Sequence, residues 1–280
     1  MNKGHIKIAL ALLSVAGYMQ NIVFASEFDA ATISSNEESE HQISISPEEA
    51  TQAAAVMVEA LDVAKKHAEH TDDYGLYYKK DDEEFLHFKR ANNTEIGKLE
   101  FTIHNPDSYS DIVNMLWDPS GGKDYDNLFI QGTLPRIYNE NLVIRQQRYK
   151  SIMWDKYYHA LANKVELSED ETAIVLTSSH MNDHDPGVYQ EYVNPLVESA
   201  NSFKPEIDSE EDIRRGKLYK TYVNLMTLFI KKEGDCVKIT VIASIDHSVV
   251  SDTTQNTIRK MTSKIMLNII NLRGIFEKKQ

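Results

Sequence analysis

The stretch Thr254-Gln-Asn-Thr-Ile258-Arg-Lys-Met261-Thr-Ser-Lys-Ile265-Met-Leu-Asn-Ile269-Ile-Asn-Leu272-Arg-Gly-Ile-Phe276 decides the architecture. Its apolar residues Ile258, Met261, Ile265, Ile269, Leu272 and Phe276 recur at steps of three and four, which is the period of an α-helix. At 1.5 Å per residue such a helix is about 33 Å long. Met266, Leu267 and Ile270 spread the apolar surface around much of its circumference. A helix apolar on most sides is expected to be covered on most sides.

The segments before it supply the cover. Tyr219–Lys231 and Cys236–Asp246 read as two strands joined by Lys232-Glu-Gly-Asp235, a tight hairpin signal. In the second of them Val237, Ile239, Val241, Ala243 and Ile245 share one face. Asn141–Lys150, Lys156–Val165 and Thr172–Ser179 are three more strands. Nearer the start, Tyr74–Lys79 and Glu84–Lys89 flank a turn, and Lys98–His104 alternates with Leu99, Phe101 and Ile103 on one side. A short helix follows over Asp107–Trp117, with Ile112, Met115 and Leu116 inward. Residues 180–218 are polar and carry Pro186, Pro195 and Pro205, so they read as a long excursion within one domain. The first ordered element begins at Ser46-Pro-Glu-Glu49, an N-cap, a proline at the first helical position and a capping-box glutamate. Its stripe is Ala50, Ala54, Met57, Leu61, Ala64 and Ala68, ending near His70. The order helix, strands, short helix, strands, long helix predicts an α+β domain over residues 46–280 with a curved antiparallel sheet around the C-terminal helix.

The N-terminus calls for separate treatment. Lys3 and Lys7 precede the apolar run Ile8–Ala16, and Val23-Phe-Ala25 suits a signal peptidase, so residues 1–25 are expected to be a cleaved signal peptide. The run is too short to span a bilayer, which needs roughly 20 apolar residues. Residues 26–45 read as a disordered acidic leader. Removing residues 1–25 takes the net charge from −13 to −15. Such a surface repels phosphate backbones and anionic headgroups, so no nucleic-acid partner is expected, and membrane contact is expected to be apolar and transient. The single Cys236 cannot form an internal disulfide and reads as a buried packing thiol.

Motifs for catalysis are sparse. No Gly-x-Ser-x-Gly elbow occurs, and Cys236 has no electropositive surroundings. Ser120-Gly-Gly-Lys123 lacks the length of a phosphate-binding loop. His180-Met-Asn-Asp183-His-Asp185 has metal-ligand residue types, but it runs into Pro186-Gly187, where small polar residues gather for turn formation. The expectation is a protein that is not an enzyme and has no cofactor or metal.

The local sequences carry a resemblance. Asn105-Pro-Asp, Asn114-Met-Leu-Trp-Asp-Pro-Ser-Gly-Gly-Lys, Tyr157-Tyr-His-Ala-Leu-Ala-Asn-Lys-Val, Leu167-Ser-Glu-Asp-Glu-Thr-Ala-Ile-Val-Leu and Leu267-Asn-Ile-Ile-Asn-Leu-Arg are similar to the fam-a proteins of malaria parasites, a multigene family with START-related domains. That resemblance runs over nearly the whole chain. It implies the helix-grip fold, a lipid held between the sheet and the C-terminal helix, and transfer of phospholipid, above all phosphatidylcholine, or of sterol. It implies secretion, with export to the parasitophorous vacuole or host erythrocyte, although the usual Arg-x-Leu export signal is absent near this N-terminus. A monomer is expected.

A lipid site needs apolar walls and a few polar groups for the head. Arg145 stands on the face of Val143, Gln147 and Tyr149, where a guanidinium would meet a phosphate bidentately; the competing reading turns it to solvent on a wet face. Tyr149, Trp154, Tyr157 and Tyr158 cluster closely and are candidates for the faces that choline requires, although core packing explains any one of them as well. Met261, Ile265 and Ile269 would line the helix side. The alternative from another class is a secreted antigen whose START-like scaffold binds host protein and no ligand. The two differ in whether the core is hollow.

Overall fold

The structure, a computed structural model, describes residues 46–70, 72–188, 191–249 and 253–277. The expected signal peptide and acidic leader lie outside the described residues. The first helix, α1, spans Pro47–Glu69, and Ser46 Oγ accepts from the Glu49 amide at 3.1 Å. The Glu49 carboxylate serves a longer-range purpose than the capping box: it accepts from Arg136 and Tyr138.

Ten strands form one sheet among the described residues: β1 Gly75–Lys80, β2 Glu84–Ala91, β3 Thr94–Ile103, β4 Phe129–Asn139, β5 Leu142–Tyr149, β6 Lys156–Ser168, β7 Glu171–Thr177, β8 Tyr219–Lys220, β9 Tyr222–Lys232 and β10 Val237–Asp246. The order is β1-β2-β3-β10-β9-β7-β6-β5-β4, with the two-residue β8 parallel to β6 and the other neighbours antiparallel. Strand β4 was not evident from the sequence. It contains Gly132 and Pro135, runs along the sheet edge and pairs with β5 through three register shifts, so its side chains do not alternate. The helices α2 Tyr109–Trp117 and α3 Gly122–Tyr125 lie between β3 and β4, and α4 Glu211–Arg214 lies within the long excursion.

Both faces of the sheet are covered, which is why β5 is buried at six consecutive positions from Leu142 to Gln147. On the outer face Ala53, Val56, Met57, Ala60 and Ala64 of α1 pack against Ile144, Leu161, Val175 and Leu225, joined by Val197, Phe203 and Ile207 from the excursion. The small side chains bring α1 close to the strands. On the inner face Leu99, Phe101, Ile103, Ile174, Val237, Ile239 and Val241 meet α2 and the C-terminal helix. The fold is an α+β helix-grip fold, a curved antiparallel sheet around that helix.

The C-terminal helix departs from expectation in two ways. It is interrupted: α5 spans Gln255–Asn268, a 3-10 turn spans Ile269–Asn271, and α6 spans Leu272–Phe276. It is also not covered on most sides. One stripe, Thr262, Met266, Ile269 and Leu272, is buried on the sheet, while Ile258, Met261 and Ile265 are only half-buried. The apolar excess faces a hollow. Gly97 of β3 sets the close approach, since a Cβ there would stand 2.5 Å from Met266 Sδ. The C-terminal end is pinned by Arg273 Nε to the Thr102 carbonyl (2.6 Å) and by Asn105 Nδ2 to the Phe276 carbonyl (2.8 Å). The N-terminal half is tied by Arg259 to Glu95 (2.7 Å) and by His247 Nε2 to Thr262 Oγ1 (2.9 Å).

Candidate functional site

Between the inner face and the C-terminal helix lies a cavity of about 530 Å³. Period-two alternation aims one set of side chains from each strand at it, and a bulge at Asn224 of β9 shifts the parity there so that Val223 and Leu228 both face it. The apolar wall comes from Leu116 of α2, Leu176 of β7, Val223 and Leu228 of β9, and Ile245 of β10, facing Met261, Ile265 and Ile269 of the helix. The three helix residues expected to line a lipid site therefore do line the cavity. Exposed Lys150, Ser151, Ile152 and Lys264 mark its opening, just after β5 and in the second half of α5.

The polar wall is contributed by β5 and β6. Arg145 is 4 % exposed, so it is turned inward and not to solvent. Its Nη1 donates to the Leu116 carbonyl at 3.2 Å, its Nη2 donates to the Trp117 carbonyl, and its guanidinium lies 5.3 Å from the Trp117 ring centre. These are the orphan carbonyls at the end of α2, where the helix dipole favours a cation. Arg145 Nε is buried with no partner. Burial draws the Arg145 pKa down from its ordinary value, and the surrounding tyrosines oppose that. Gln147 Oε1 accepts from Tyr149 (2.9 Å) and Tyr158 (2.5 Å), and its Nε2 donates to the Pro119 carbonyl at 3.0 Å. The Tyr149 and Tyr158 rings are stacked 6.3 Å apart, and burial pushes the Tyr158 phenol up to about 12.

Two expected site residues are elsewhere. Tyr157 precedes Tyr158 on β6 and so points to the outer face, where its hydroxyl donates to Asp183 (3.1 Å) and Asp185 (2.8 Å). Trp154 lies in the β5–β6 loop, 59 % exposed, beside Met153 at 84 %, and contributes nothing to the cavity wall. Parity explains the first correction and a loop excursion the second. Gln147 was noted only as a neighbour of Arg145, and Tyr125, Lys156, Lys264 and His247 were not singled out from the sequence, yet all five line the cavity. Strand parity with Arg145 signalled Gln147. The others arrive from distant segments.

The His180–Asp185 loop has other duties. Asp183, 2 % exposed, accepts from His159 Nδ1 (3.1 Å) and Lys220 Nζ (2.7 Å). Burial alone would raise its carboxyl; those partners overcome that and hold it well below the usual carboxylate range. His180 Nδ1 accepts from the Tyr192 amide at 3.2 Å, and His184 pairs with Glu206 at 2.6 Å. The Cys236 thiol is buried at the foot of β10, and burial raises its pKa.

This geometry, a hollow antiparallel sheet closed by a C-terminal helix, is the fold of START-type lipid transfer domains. Among solved structures the chain is similar to human StAR-related lipid transfer protein 5, with a TM-score of 0.56 at 9% identity over 80% of this chain and 97% of that one. It is similar to the human StarD13 (DLC2) lipid transfer and protein localization domain at 0.53 and 13% identity, covering 78% and 96% of the two chains. Human STARD10 matches at 0.53 and 12% identity over 76% of this chain and 78% of that one. At such identities the likeness is one of fold. No family model and no curated protein matches this sequence.

Proposed function

We propose that this protein is a non-catalytic lipid carrier that holds one amphiphile in the cavity and exchanges it with membranes through the opening beside the β5–β6 loop. The observation that carries this reading is the hollow itself: about 530 Å³ is left under a helix whose free face is Met261, Ile265 and Ile269. Burying a hydrocarbon chain there is favourable by about 0.8 kcal/mol per methylene. The polar side chains of the wall bond to one another and to carbonyls, which suits holding a molecule more than transforming it. A scaffold that binds host protein without ligand would be expected to fill this space with side chains, so the open cavity favours the carrier.

The route to the membrane is the loop tip Ile152-Met153-Trp154, three exposed apolar residues where a turn ordinarily carries polar ones. Ile152 also borders the cavity opening, so a tip seated among lipid headgroups would place the opening at the bilayer surface. The local sequence resemblance to fam-a proteins supports secretion, a monomeric carrier and phosphatidylcholine as cargo, with the unpaired Arg145 Nε and the Tyr149–Tyr158 stack as candidate headgroup partners.

Native mass spectrometry of the purified protein tests the reading. A co-purifying or added lipid bound one to one is expected, and Val223→Trp, which fills the apolar wall, is expected to abolish it. A protein that takes up no lipid from any class offered overturns the carrier.

A further inference from the structure

We infer that Met153 is a reversible oxidation switch on membrane docking: as the thioether it belongs to the apolar loop tip, and as the sulfoxide it holds the loaded carrier off the bilayer. This rests on the loop-tip route to the membrane and goes beyond it by assigning a modification site. Three observations carry it.

The first is access. Of the methionines among the described residues, Met57, Met181 and Met266 are buried and Met115, Met226 and Met261 are half-buried, while Met153 is 84 % exposed. The single thiol, Cys236, is buried, and burial raises its pKa, so little thiolate competes for an oxidant. An oxidant in solution therefore meets Met153 before any other sulfur among the described residues.

Hydrogen peroxide is the co-reactant. The Met153 sulfur lone pair takes one peroxide oxygen, forming an S–O bond as the O–O bond breaks. The departing hydroxide accepts the proton left on the transferred oxygen and leaves as water. Sulfur is oxidised by two electrons, and the peroxide is reduced by the same two. Methionine sulfoxide reductases reverse the change, and an exposed loop is open to them.

The second observation is where the penalty falls. In the free protein the Met153 side chain stands in water, so a sulfoxide there is solvated and nothing in the core has to move. Docking takes the same group out of water. The thioether gains from that transfer, whereas the sulfoxide oxygen gives up its hydrogen bonds to water and finds no donor among acyl chains. The destabilisation thus acts on the docked state alone.

The third is the position of Met153 beside the cavity and not in it. Its exposed neighbour Ile152 borders the opening, while Met153 itself lies outside the cavity wall. Oxidation therefore leaves the surfaces that hold cargo intact and acts on exchange.

The test is sedimentation of the purified protein with neutral phosphatidylcholine vesicles before and after brief hydrogen peroxide treatment, with peptide mapping to locate the added oxygen. Mapping is expected to find Met153 oxidised first, and partitioning to fall about fivefold or more. Methionine sulfoxide reductase with dithiothreitol is expected to restore it. In Met153→Leu, which has no sulfur at the tip, the ratio of partitioning before and after peroxide is expected to stay near one, whatever its starting level. Native mass spectrometry of the oxidised wild type is expected to show lipid still bound one to one, with circular dichroism unchanged, while transfer between vesicles slows. Oxidation of another methionine ahead of Met153, undiminished partitioning once Met153 is oxidised, or an equal loss in Met153→Leu through the exposed Trp154 would overturn the switch and leave the lipid carrier in place. A protein that never partitions into these vesicles overturns the switch together with the loop-tip route, whereas the carrier itself falls only if no lipid is bound.

Discussion

Arg145 on β5 closes the last turn of α2 by donating to the Leu116 and Trp117 carbonyls, and its guanidinium lies over the Trp117 ring at 5.3 Å. One residue thereby joins the sheet, the short helix and the cavity wall. Arg145→Met removes the donors and leaves buried carbonyls unpaired. A loss of about 2–4 kcal/mol in urea unfolding is expected. Arg145→Lys should recover only part of it, because a single ammonium cannot reproduce the planar fork. Unchanged unfolding midpoints would show that the contact is idle.

Asp183 is the counter-charge for Lys220 and His159 on the outer face. Asp183→Asn leaves a buried ammonium unpaired and is expected to cost about 3–5 kcal/mol. The pair Asp183→Leu with Lys220→Met, which removes both charges, should be markedly milder than the sum of the single changes, read from a double-mutant cycle. Because the Asp183 carboxyl is held low in the folded state, its contribution is complete at neutral pH and fades as the pH falls below the ordinary carboxylate range.

His247 gives a second pH dependence. Burial, and then Lys156, lower its pKa from 6.5 to about 4, so between those values the unfolded chain binds the proton and the folded one does not. Stability from this group is therefore full above pH 6.5 and declines as the pH falls toward 4, by up to about 3 kcal/mol. His67 shifts to about 4 for the same reason and adds to the slope. Comparing wild type with His247→Gln by urea titration at pH 7 and pH 5 isolates the His247 part: the variant should lose less on acidification, and an identical loss would reject the assignment.

The apolar tip predicts a fluorescence signal. Trp154, 59 % exposed in the free protein, should shift its emission to shorter wavelength on mixing with neutral phosphatidylcholine vesicles. Met153→Ser with Trp154→Ser should lower vesicle partitioning by about tenfold or more, given roughly 1.5–3 kcal/mol for each large apolar side chain buried. With so acidic a surface the binding should depend little on salt. Partitioning that survives the double change would place the contact elsewhere.

Much of this fold was legible in the chain because its signals are local and periodic. The Ser46 cap, the alternation Leu99-Phe101-Ile103, the Lys232–Asp235 hairpin and the stepped helix from Ile258 to Phe276 each follow from geometry within a few residues. Met261, Ile265 and Ile269 were identified because the helix period aligns them. Strand β4 was missed because Gly132, Pro135 and its edge position remove the alternation on which recognition depends.

The site was legible only in part. Tyr149 and Arg145 share a parity that the sequence shows, but whether that parity means cavity or solvent depends on what covers each face of the sheet. Here α1 covers one and the C-terminal helix the other, so buried runs such as Leu142–Gln147 lose the wet-and-dry contrast that would have told them apart. The same blindness put Tyr157 in the cavity when its neighbour Tyr158 lines it. The sequence by itself determined the element order, the α+β class and the helix stripe, since these rest on short-range periodicity. Only the tertiary structure decided that the helix covers a hollow, that Arg145 serves the end of α2, and that Lys156, His247 and Lys264 line one cavity. Those facts depend on contacts between distant segments, such as Arg259 with Glu95, 164 residues apart, which no local period encodes.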